Sequence, residues 1–411
     1  MSRTREVTFL LRILLISDPS SYHTNEWVNA LSVRGFEVCV FYVDEWIHNR
    51  NTVPEHDGRE LKLVKEPPKW KLVGHSIAHL APNSLIRDLR HHTWLHQNLD
   101  VLGSSLHRFV HTEGYEFIHA HGMATSALLA DAARDVPFSA SAWGSDIYIM
   151  PEKYSYIRPL MAGAIRHAAF IQAESHISAR RLEEIEASSS EKLFVSTWGV
   201  DTNSFKPGQR TDTVNRILGC SECEYILSFR ALEPLYRIDA IIRAFVAAQG
   251  KLPDDLKLVI GSDGSEKPQL QQLIHELHQD EKVVLTGYVD SETKRSLLAS
   301  ASLYVQYPTS DGVSISMLEA MSSGLPLVAS DVGETRVLLT DRVNGILVNP
   351  NSVSALEEAI VELMNHDDMR TSMAANSREI AVRDHDRNVF FDQFAARVSA
   401  SLKTRPNVAS V

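Results

Sequence analysis

Two acidic residues in one short segment are the first candidates for chemistry. The segment from Ser310 to Ser330 reads SDGVSISMLEAMSSGLPLVAS, and seven residues separate its acids, Asp311 and Glu319. Small polar residues lie between the acids and lead into a predicted short helix. The amino end of a helix offers backbone N–H groups to an anion, and a carboxylate one turn into the helix can accept hydrogen bonds from a diol such as ribose. The pattern therefore indicates a site for an anionic ligand that carries hydroxyl groups.

The same segment also has a structural explanation. The residues SMLE fit a Ser-x-x-Glu capping box, with Ser316 as the N-cap and Glu319 as the third helical residue. Gly324 would then end the helix, with Pro326 just beyond it. This capping box accounts for Glu319 without a ligand, but it leaves Asp311 unexplained. Both interpretations remain open.

The elements that position this segment follow a repeated strand–helix pattern. Short apolar runs such as RILLIS, EVCVFYV, FIHAHG, YILSFRA and SLYVQYP alternate with amphipathic stretches. This order predicts parallel strands with helices on both faces, an α/β doubly wound architecture. In such sheets, ligands bind at the carboxyl ends of the strands, where the strand order reverses. Helices are predicted at Asn25–Arg34, Ile238–Ala248, Pro268–His278 and Glu292–Ser300.

A polar segment divides the chain into two predicted domains. Residues 199–213 are rich in Pro, Gly and Asp, as a domain boundary is. We expect one doubly wound domain at 1–198 and a second at 199–386, facing each other across a cleft. The last helical stretch, about 387–402, could pack on the second sheet or return to the first domain. Residues 67–112, rich in His and Trp, predict helices that pack on the sheet or face an acceptor or a membrane.

Composition excludes several classes of protein. The chain is 44% apolar and 23% charged, and its net charge of −11 argues against a broad nucleic-acid surface. The run from Val7 to Ile16 is interrupted by Arg12 and ends like a buried strand, so a strand is predicted there instead of a signal peptide. No run approaches the roughly 20 apolar residues that span a bilayer. The few cysteines suggest a reducing, cytoplasmic setting, with Cys220 and Cys223 as ordinary loop thiols and not metal ligands.

Several motifs, in order along the chain, resemble those of family 4 glycosyltransferases. The run DGVSISMLEAMSSGLPLVASDVGE is similar to the Glu-x7-Glu donor-binding signature of that family, and it is joined by FIHAHG, AWGSDI, STWGVDTNSFKP, SFRALEPLYRIDAIIRAF, LKLVIGSDGSEKPQLQQL, VVLTGYV and VNGILVNP. The resemblance implies the GT-B fold, two Rossmann-like domains facing a central cleft. It also implies a nucleotide diphosphate sugar as co-substrate, retention of the anomeric configuration, no other cofactor and no required metal ion.

The resemblance assigns donor-binding roles in the second half. Glu319 matches the acid that binds the ribose, and Asp311 matches the acid, usually Glu, that contacts the transferred sugar. Arg230 matches the arginine at the diphosphate, although a surface arginine at a strand end would look the same. The family commonly continues with a Lys-Gly pair, and Arg237 is the candidate to replace that lysine. The remaining donor-binding candidates are Gly261, Gly264, Gly287, Val289, Gly312, Val313, Ser314 and Ile315.

The first half departs from the family in two places. The family often has a Gly-Gly loop after its first strand, whereas this chain has SDPSSYHTNEW, so Ser20, Ser21, Tyr22 and His23 would fill that space on the acceptor side. The family also often has a histidine near the reacting carbon where this chain has Trp143.

Two further polar residues of the first half are candidates. His119 and His121 point to the same side of their predicted strand, and His121 becomes the catalytic candidate beside Arg230 and Asp311, although a buried, hydrogen-bonded histidine is the alternative. Asp146 is a candidate acid on the acceptor side.

These roles imply one activity. Departure of a diphosphate from a sugar develops negative charge, which Arg230, Arg237 and the helix amides would stabilise. The implied enzyme transfers a hexose to a glycan, lipid-linked or small-molecule acceptor in polysaccharide or glycoconjugate synthesis, at the inner face of a membrane or free in the cytoplasm. Another GT-B enzyme, such as an epimerase or phosphorylase, and a non-catalytic nucleotide-sugar binder remain the alternatives.

Overall fold

The chain folds as two parallel α/β units. The computed structural model describes residues 11–18, 21–42, 63–65, 99–100, 102–133 and 135–403. One unit comprises Met1–Ser196 and Phe391–Val411, and the other is Thr197–Phe390. Each unit holds one sheet in which all paired strands are parallel. The predicted doubly wound α/β architecture is therefore confirmed in both halves.

The first unit contains a seven-stranded sheet in the order β3-β2-β1-β4-β5-β6-β7. Its strands are β1 Leu11–Ile16, β2 Phe36–Tyr42, β3 Leu63–Lys65, β4 Phe117–His121, β5 Phe138–Ala142, β6 Phe170–Ala173 and β7 Leu193–Val195. Its helices are α1 Tyr22–Ser32, α2 at 102–113, α3 Ser126–Ala132, α4 Ser145–Tyr148, α5 Met150–Lys153, α6 Ile157–His167 and α7 His176–Ile185. The strand order reverses between β1 and β4.

The second unit contains a six-stranded sheet in the order β10-β9-β8-β11-β12-β13. Its strands are β8 Tyr225–Phe229, β9 Lys257–Gly261, β10 Val283–Gly287, β11 Leu303–Gln306, β12 Leu327–Ser330 and β13 Gly345–Val348. Its helices are α8 Asp212–Leu218, α9 Ile238–Ala248, α10 Lys267–Glu276, α11 Ser291–Ser300, α12 Ile315–Ser322, α13 Thr335–Leu338, α14 Val353–Asn365 and α15 Asp367–Asp384. The order reverses between β8 and β11.

The apolar runs form these strands because both faces of each sheet are covered. Every residue of β4, β5, β8, β11 and β12 is buried, as expected for parallel strands between helical layers. α9 contacts β11 and shares one buried core with β8 and β9, through an almost continuous apolar surface that includes Ile238, Ile241 and Phe245. The predicted bounds of this helix are confirmed, whereas α1 begins three residues before the predicted start at Asn25.

The last helix, α16 Arg387–Lys403, places aromatic rings in the core of the first unit. The rings of Phe391 and Phe394 both lie 5.0 Å, edge-on, from the ring of Trp27. Phe394 also contacts His119, with ring centroids 4.8 Å apart, and Phe170, at 5.6 Å. This aromatic cluster holds the carboxyl-terminal helix against β4 and β6.

One prediction about the cysteines was wrong, and another lies mostly outside the described residues. Cys220 and Cys223, expected as loop thiols, form a disulfide in the structure, because the turn after α8 brings their Cα atoms to 6.0 Å. The segment 67–112, predicted to form helices, lies outside the described residues except for 99–100 and 102–112, which are helical. Within the described ranges, no helix combines the length and apolar character that a bilayer crossing requires.

We expect Phe394→Ala to destabilise the first unit strongly. Phe394 is fully buried, and removal of a buried phenyl ring typically costs about 3–5 kcal/mol. Urea unfolding followed by tryptophan fluorescence would measure the change, because Trp27 contacts the deleted ring. Gln393→Ala, at an exposed position of the same helix, is the matched control. Equal stability of the two variants would contradict the role given to the aromatic cluster.

Candidate functional site

The reversal point of the second sheet brings together an arginine and a helix amino end. Arg230 directly follows β8, and the loop after β11 leads into α12. Arg230 Nη1 donates to Ser314 Oγ at 2.6 Å, and Nη2 donates to Asp311 Oδ1 at 2.9 Å. The guanidinium also lies over the ring of Tyr236, 4.1 Å from its centroid. A cation, a carboxylate and the start of a helix therefore share one edge of the sheet.

The Arg230–Asp311 pair is largely withdrawn from water. The two side chains are only 10% and 12% exposed. Burial raises the pKa of Asp311 above its ordinary value, although the charge of Arg230 acts in the opposite direction. Burial also opposes the charge of Arg230, but Asp311 and nearby tyrosines outweigh it and raise its pKa. Arg230 therefore stays cationic, and each charge depends on the other.

The start of α12 differs from the predicted capping box. Ser314 is the N-cap, and its Oγ accepts a hydrogen bond from the Met317 N–H at 3.4 Å. The prediction of Ser316 as N-cap was wrong, because the extended backbone and the bond from Arg230 select Ser314. Glu319 is therefore not the third helical residue, and a capping box no longer accounts for it. Gly324 was predicted to end the helix, and it directly follows the C-cap residue, Ser323, with a φ of 72°.

Glu319 is buried and paired with a lysine that the motifs did not reveal. Its exposed fraction is 1%, and Lys294 Nζ lies 2.5 Å from its Oε2 atom. Lys294 belongs to α11 and also lies over the ring of Phe229, 5.6 Å from the centroid. No sequence signal singles out Lys294, because its contact with Glu319 joins two separate helices that only the folded chain brings together.

Glycines allow the strand-end loops to approach one another closely. A Cβ atom on Gly333, whose φ is +51°, would lie 1.9 Å from the Asp311 carbonyl oxygen. A Cβ on Gly261 would lie 1.9 Å from the ring of Phe229, and one on Gly264 would lie 2.4 Å from the Leu232 carbonyl oxygen. Gly261 and Gly264 are therefore required by packing, whatever they contact in a ligand.

The other donor-side candidates occupy the ends of β10 and β11. Gly287 ends β10 with φ of +67°, and the half-buried Val289 packs against the core. Val313 is 8% exposed and belongs to that same core. Gly312 precedes it in the loop, and Ile315 begins α12. The packing contacts of Val289 and Val313 agree with a structural role for both side chains.

Arg237 does not share the hydrogen-bond partners that the structure gives for Arg230. Its guanidinium donates to the Pro350 carbonyl at 2.6 Å and lies over the ring of Tyr307, 4.9 Å from the centroid. Arg237 also adopts φ of 47°, at the start of α9. These contacts tie it to the loop after β13. Its replacement of the family lysine at a phosphate stays a prediction.

The reversal point of the first sheet carries a histidine with a defined tautomer. Thr24 Oγ1 donates to the Asp18 carbonyl at 2.6 Å, so Ser17 Oγ must donate to Thr24 Oγ1, also at 2.6 Å. Ser17 has no second proton, and His121 Nδ1 lies 2.8 Å from its Oγ. Nδ1 is therefore the protonated nitrogen of a neutral His121. Its Nε2 atom is buried, with no hydrogen-bond partner among the described residues.

The surroundings of His121 disfavour proton transfer at neutral pH. Burial, with a smaller contribution from His23, lowers the pKa of His121 to about 3. The ring lies 4.9 Å from those of both Trp27 and Trp143. An imidazole with this pKa is a weak base. His121 can accept a hydrogen bond, but its chemistry does not suit general-base catalysis.

Asp146 connects two loops at the same edge. Its carboxylate accepts hydrogen bonds from the backbone N–H groups of Met123, at 2.6 Å, and Trp143, at 2.8 Å. Burial raises the pKa of Asp146 to about 6, although these hydrogen bonds act against the shift. Asp146 therefore holds the loops after β4 and β5 together.

The remaining acceptor-side candidates lie around α1. The ring of His23 contacts that of Trp143 edge-on, with centroids 5.8 Å apart. Ser21 precedes α1 at the N-cap position without a side-chain capping bond, and Tyr22 is the first helical residue. Ser20 lies outside the described residues. Within the described ranges, no cluster of three or more His, Cys, Asp or Glu side chains could hold a metal ion.

We expect His121 to make the fold sensitive to acid. Its folded pKa lies below the unfolded value of 6.5, so the unfolded chain binds the proton first and stability falls as the pH drops from 6.5 toward 3. Relative to His121→Gln, the unmodified protein should lose about 2 kcal/mol of unfolding free energy between pH 7 and pH 5. Denaturant titrations of both proteins at the two pH values would measure this difference. Parallel pH profiles would contradict the assignment.

The chain is similar to known proteins over part of its sequence and over nearly all of its fold. Residues 216–380 match the family model described as Glycosyl transferases group 1. Alpha-D-kanosaminyltransferase of Streptomyces kanamyceticus is 29% identical over 141 residues, which cover 34% of this chain and 36% of that protein. N-acetyl-alpha-D-glucosaminyl L-malate synthase of Bacillus anthracis is 22% identical over 288 residues, covering 68% of this chain and 73% of that protein.

A solved structure shares the fold over nearly the full length. The structure of Anabaena Alr3699/HepE in complex with UDP and glucose is similar with a TM-score of 0.71 and 19% identity, covering 95% of this chain and 99% of that one. The aligned sequence spans about a third of the first relative and about three quarters of the second. The shared fold is the GT-B fold, and residues 216–380 are similar to the glycosyl transferases of group 1.

Proposed function

We propose that the protein transfers a hexose, with retention of the anomeric configuration, from a nucleotide diphosphate sugar to an acceptor in polysaccharide or glycoconjugate synthesis. One observation carries this proposal. The buried cation Arg230 and the amino end of α12 meet where the second strand order reverses. This is where doubly wound sheets bind nucleotides, and both groups favour phosphate.

The donor is proposed to lie along this edge of the second unit. Arg230 and the first-turn amides of α12 would contact the diphosphate, and Glu319 would accept hydrogen bonds from the ribose. Asp311 would contact the transferred sugar. The similar fold of a protein solved with UDP and glucose supports a nucleotide sugar as donor. The assignment to family 4 rests on the Glu-x7-Glu resemblance, with Asp311 in the first position.

The proposed chemistry is electrostatic. Cleavage of the bond from sugar to diphosphate develops negative charge on the leaving group. Arg230 is already oriented by Asp311 and Ser314, so little reorganisation is needed as that charge forms. His121, with a pKa near 3, is unsuited to deprotonate the acceptor. The leaving phosphate is the proposed proton acceptor, in a displacement on one face of the sugar.

The acceptor is proposed to be a glycan, a lipid-linked sugar or a small hydroxylated molecule. The matched relatives include enzymes named for kanosaminyl transfer and for the synthesis of a glucosaminyl malate. The unprotonated Nε2 atom of His121 could accept a hydrogen bond from a hydroxyl group of such an acceptor. Peripheral contact with a membrane surface remains part of the proposal for a lipid-linked acceptor.

A non-catalytic nucleotide-sugar binder is the second candidate. The observation that favours it is the direct pairing of Asp311 with Arg230, which engages both groups in one ion pair. Differential scanning fluorimetry with UDP-, GDP- and ADP-sugars would identify the nucleotide. Product analysis with the stabilising donor would then separate transfer from binding alone.

We expect Arg230→Ala to lower kcat/KM by about a hundredfold or more, because one such contact to a developing anion contributes about 3 kcal/mol. Steady-state transfer assays with the identified donor would measure the loss. Arg336→Ala, which removes an arginine with a 64% exposed side chain from the same unit, is the matched control. A folded Arg230→Ala enzyme with unchanged turnover would refute the proposed site.

Transfer should continue in excess EDTA, since the proposed stabilisation of the leaving group uses Arg230 and helix amides. Initial rates before and after chelation would test this expectation, with metal added back as the control. Complete loss of activity that Mg²⁺ or Mn²⁺ restores would show that a metal ion takes part.

A further inference from the structure

Two consecutive helices of the second unit each supply one residue of an ion pair near the carboxyl ends of its strands. Lys294 lies on α11, and Glu319 lies on α12. The Nζ and Oε2 atoms are 2.5 Å apart, and the side chains are 28% and 2% exposed, respectively. The carboxylate is thus enclosed, whereas part of the lysine side chain reaches the surface. The pair is accessible from the lysine side.

Lys294 places a positive charge beside the buried Glu319 carboxylate. A buried carboxylate without a cation is strongly disfavoured, and loss of one partner of a buried pair typically costs about 3–5 kcal/mol. An ammonium has three N–H groups, and a carboxylate has about four lone-pair positions. The contact with Glu319 engages only part of the three N–H groups of Lys294, so the ammonium can also donate to a ligand.

A flat ring adjoins the pair. Lys294 Nζ lies over the ring of Phe229, 5.6 Å from its centroid. This ring closely covers Gly261, where an added Cβ atom would lie 1.9 Å from it. Phe229 and Gly261 end the adjacent strands β8 and β9. The buried ring of Phe229 and the ion pair thus lie together beside Arg230, the residue after Phe229.

We infer that Lys294 is a ribose-recognition residue, acting with Glu319 on the vicinal hydroxyl groups of the bound nucleotide. Each ribose hydroxyl group can both donate and accept a hydrogen bond. Glu319 would accept hydrogen bonds from the hydroxyl groups, and the Lys294 ammonium would donate one to a hydroxyl oxygen. This inference rests on the proposed function and adds a cationic partner to the acid of the donor signature. A role restricted to joining α11 and α12 is the competing explanation.

A comparison of ribose and deoxyribose ligands separates these two roles. The probes are the nucleoside diphosphate that binds the unmodified protein most tightly, among UDP, GDP and ADP, and its 2′,3′-dideoxy form. Calorimetry should show that the unmodified protein prefers the ribose form by about tenfold or more, the effect of a hydrogen bond to a charged group. Lys294→Met should lose about tenfold in affinity for the ribose form and keep its affinity for the dideoxy form.

Two further variants complete the experiment. Lys294→Arg keeps a cationic donor and should retain most of the preference for ribose. Lys251→Met removes the lysine of another ion pair in the same unit, Lys251–Glu357 at 2.8 Å, and should leave both affinities unchanged. In transfer assays, Lys294→Met should raise the donor KM more than it lowers kcat, because the ribose is not the reacting group.

Specific outcomes overturn the inference. Equal loss of affinity for both ligands in Lys294→Met would show that the lysine acts only on the fold. Equal affinity of the unmodified protein for both ligands would overturn ribose recognition alone and leave the proposed transfer intact. Absence of binding to every nucleoside diphosphate would instead overturn the proposed function and this inference together.

Discussion

The site of the second unit depends on the placement of one buried guanidinium. Arg230 is charged and nearly enclosed, so it needs polar partners at the same edge of the sheet. Those partners, Asp311 and Ser314, belong to the loop that starts α12, and Ser314 also caps that helix. The interaction that compensates the buried charge therefore also fixes the direction in which the first amides of the helix point. Gly333 completes this arrangement by approaching the Asp311 carbonyl more closely than any other residue could.

The two units use the same topological feature with opposite electrostatics. At the reversal between β8 and β11, the polar groups are ionic, and the neighbours of Arg230 raise its pKa. At the reversal between β1 and β4, Ser17 and Thr24 orient a neutral His121 that burial keeps uncharged. The first arrangement suits a phosphate, and the second suits a neutral hydroxyl group. Two sheets with the same order in their first six strands thus carry chemically different polar groups at their reversal points.

The sequence predicted those features that depend on local pattern. The alternation of apolar runs and amphipathic stretches gave the architecture, and the continuous apolar surface of Ile238–Ala248 gave that helix its bounds. The N-cap of α12 was missed because two serines could serve, and the choice depends on a distant bond from Arg230 to Ser314. Lys294 was missed for the same reason, since only the tertiary fold brings it to Glu319, 25 residues further along the chain. Such non-local contacts leave no periodic signal in the sequence.

The ion pairs of Asp311 and Glu319 explain how an acidic protein could bind the proposed anionic donor. The chain carries a net charge of −11, but salt screens charges beyond about 8 Å at physiological ionic strength. The charges within the site therefore decide the local potential. Asp311 is paired with Arg230 and Glu319 with Lys294, so the two acids contribute no excess negative charge at this edge. The amino end of α12 then adds partial positive charge. An edge that contains the two acids of the proposed donor site can consequently remain favourable for a diphosphate.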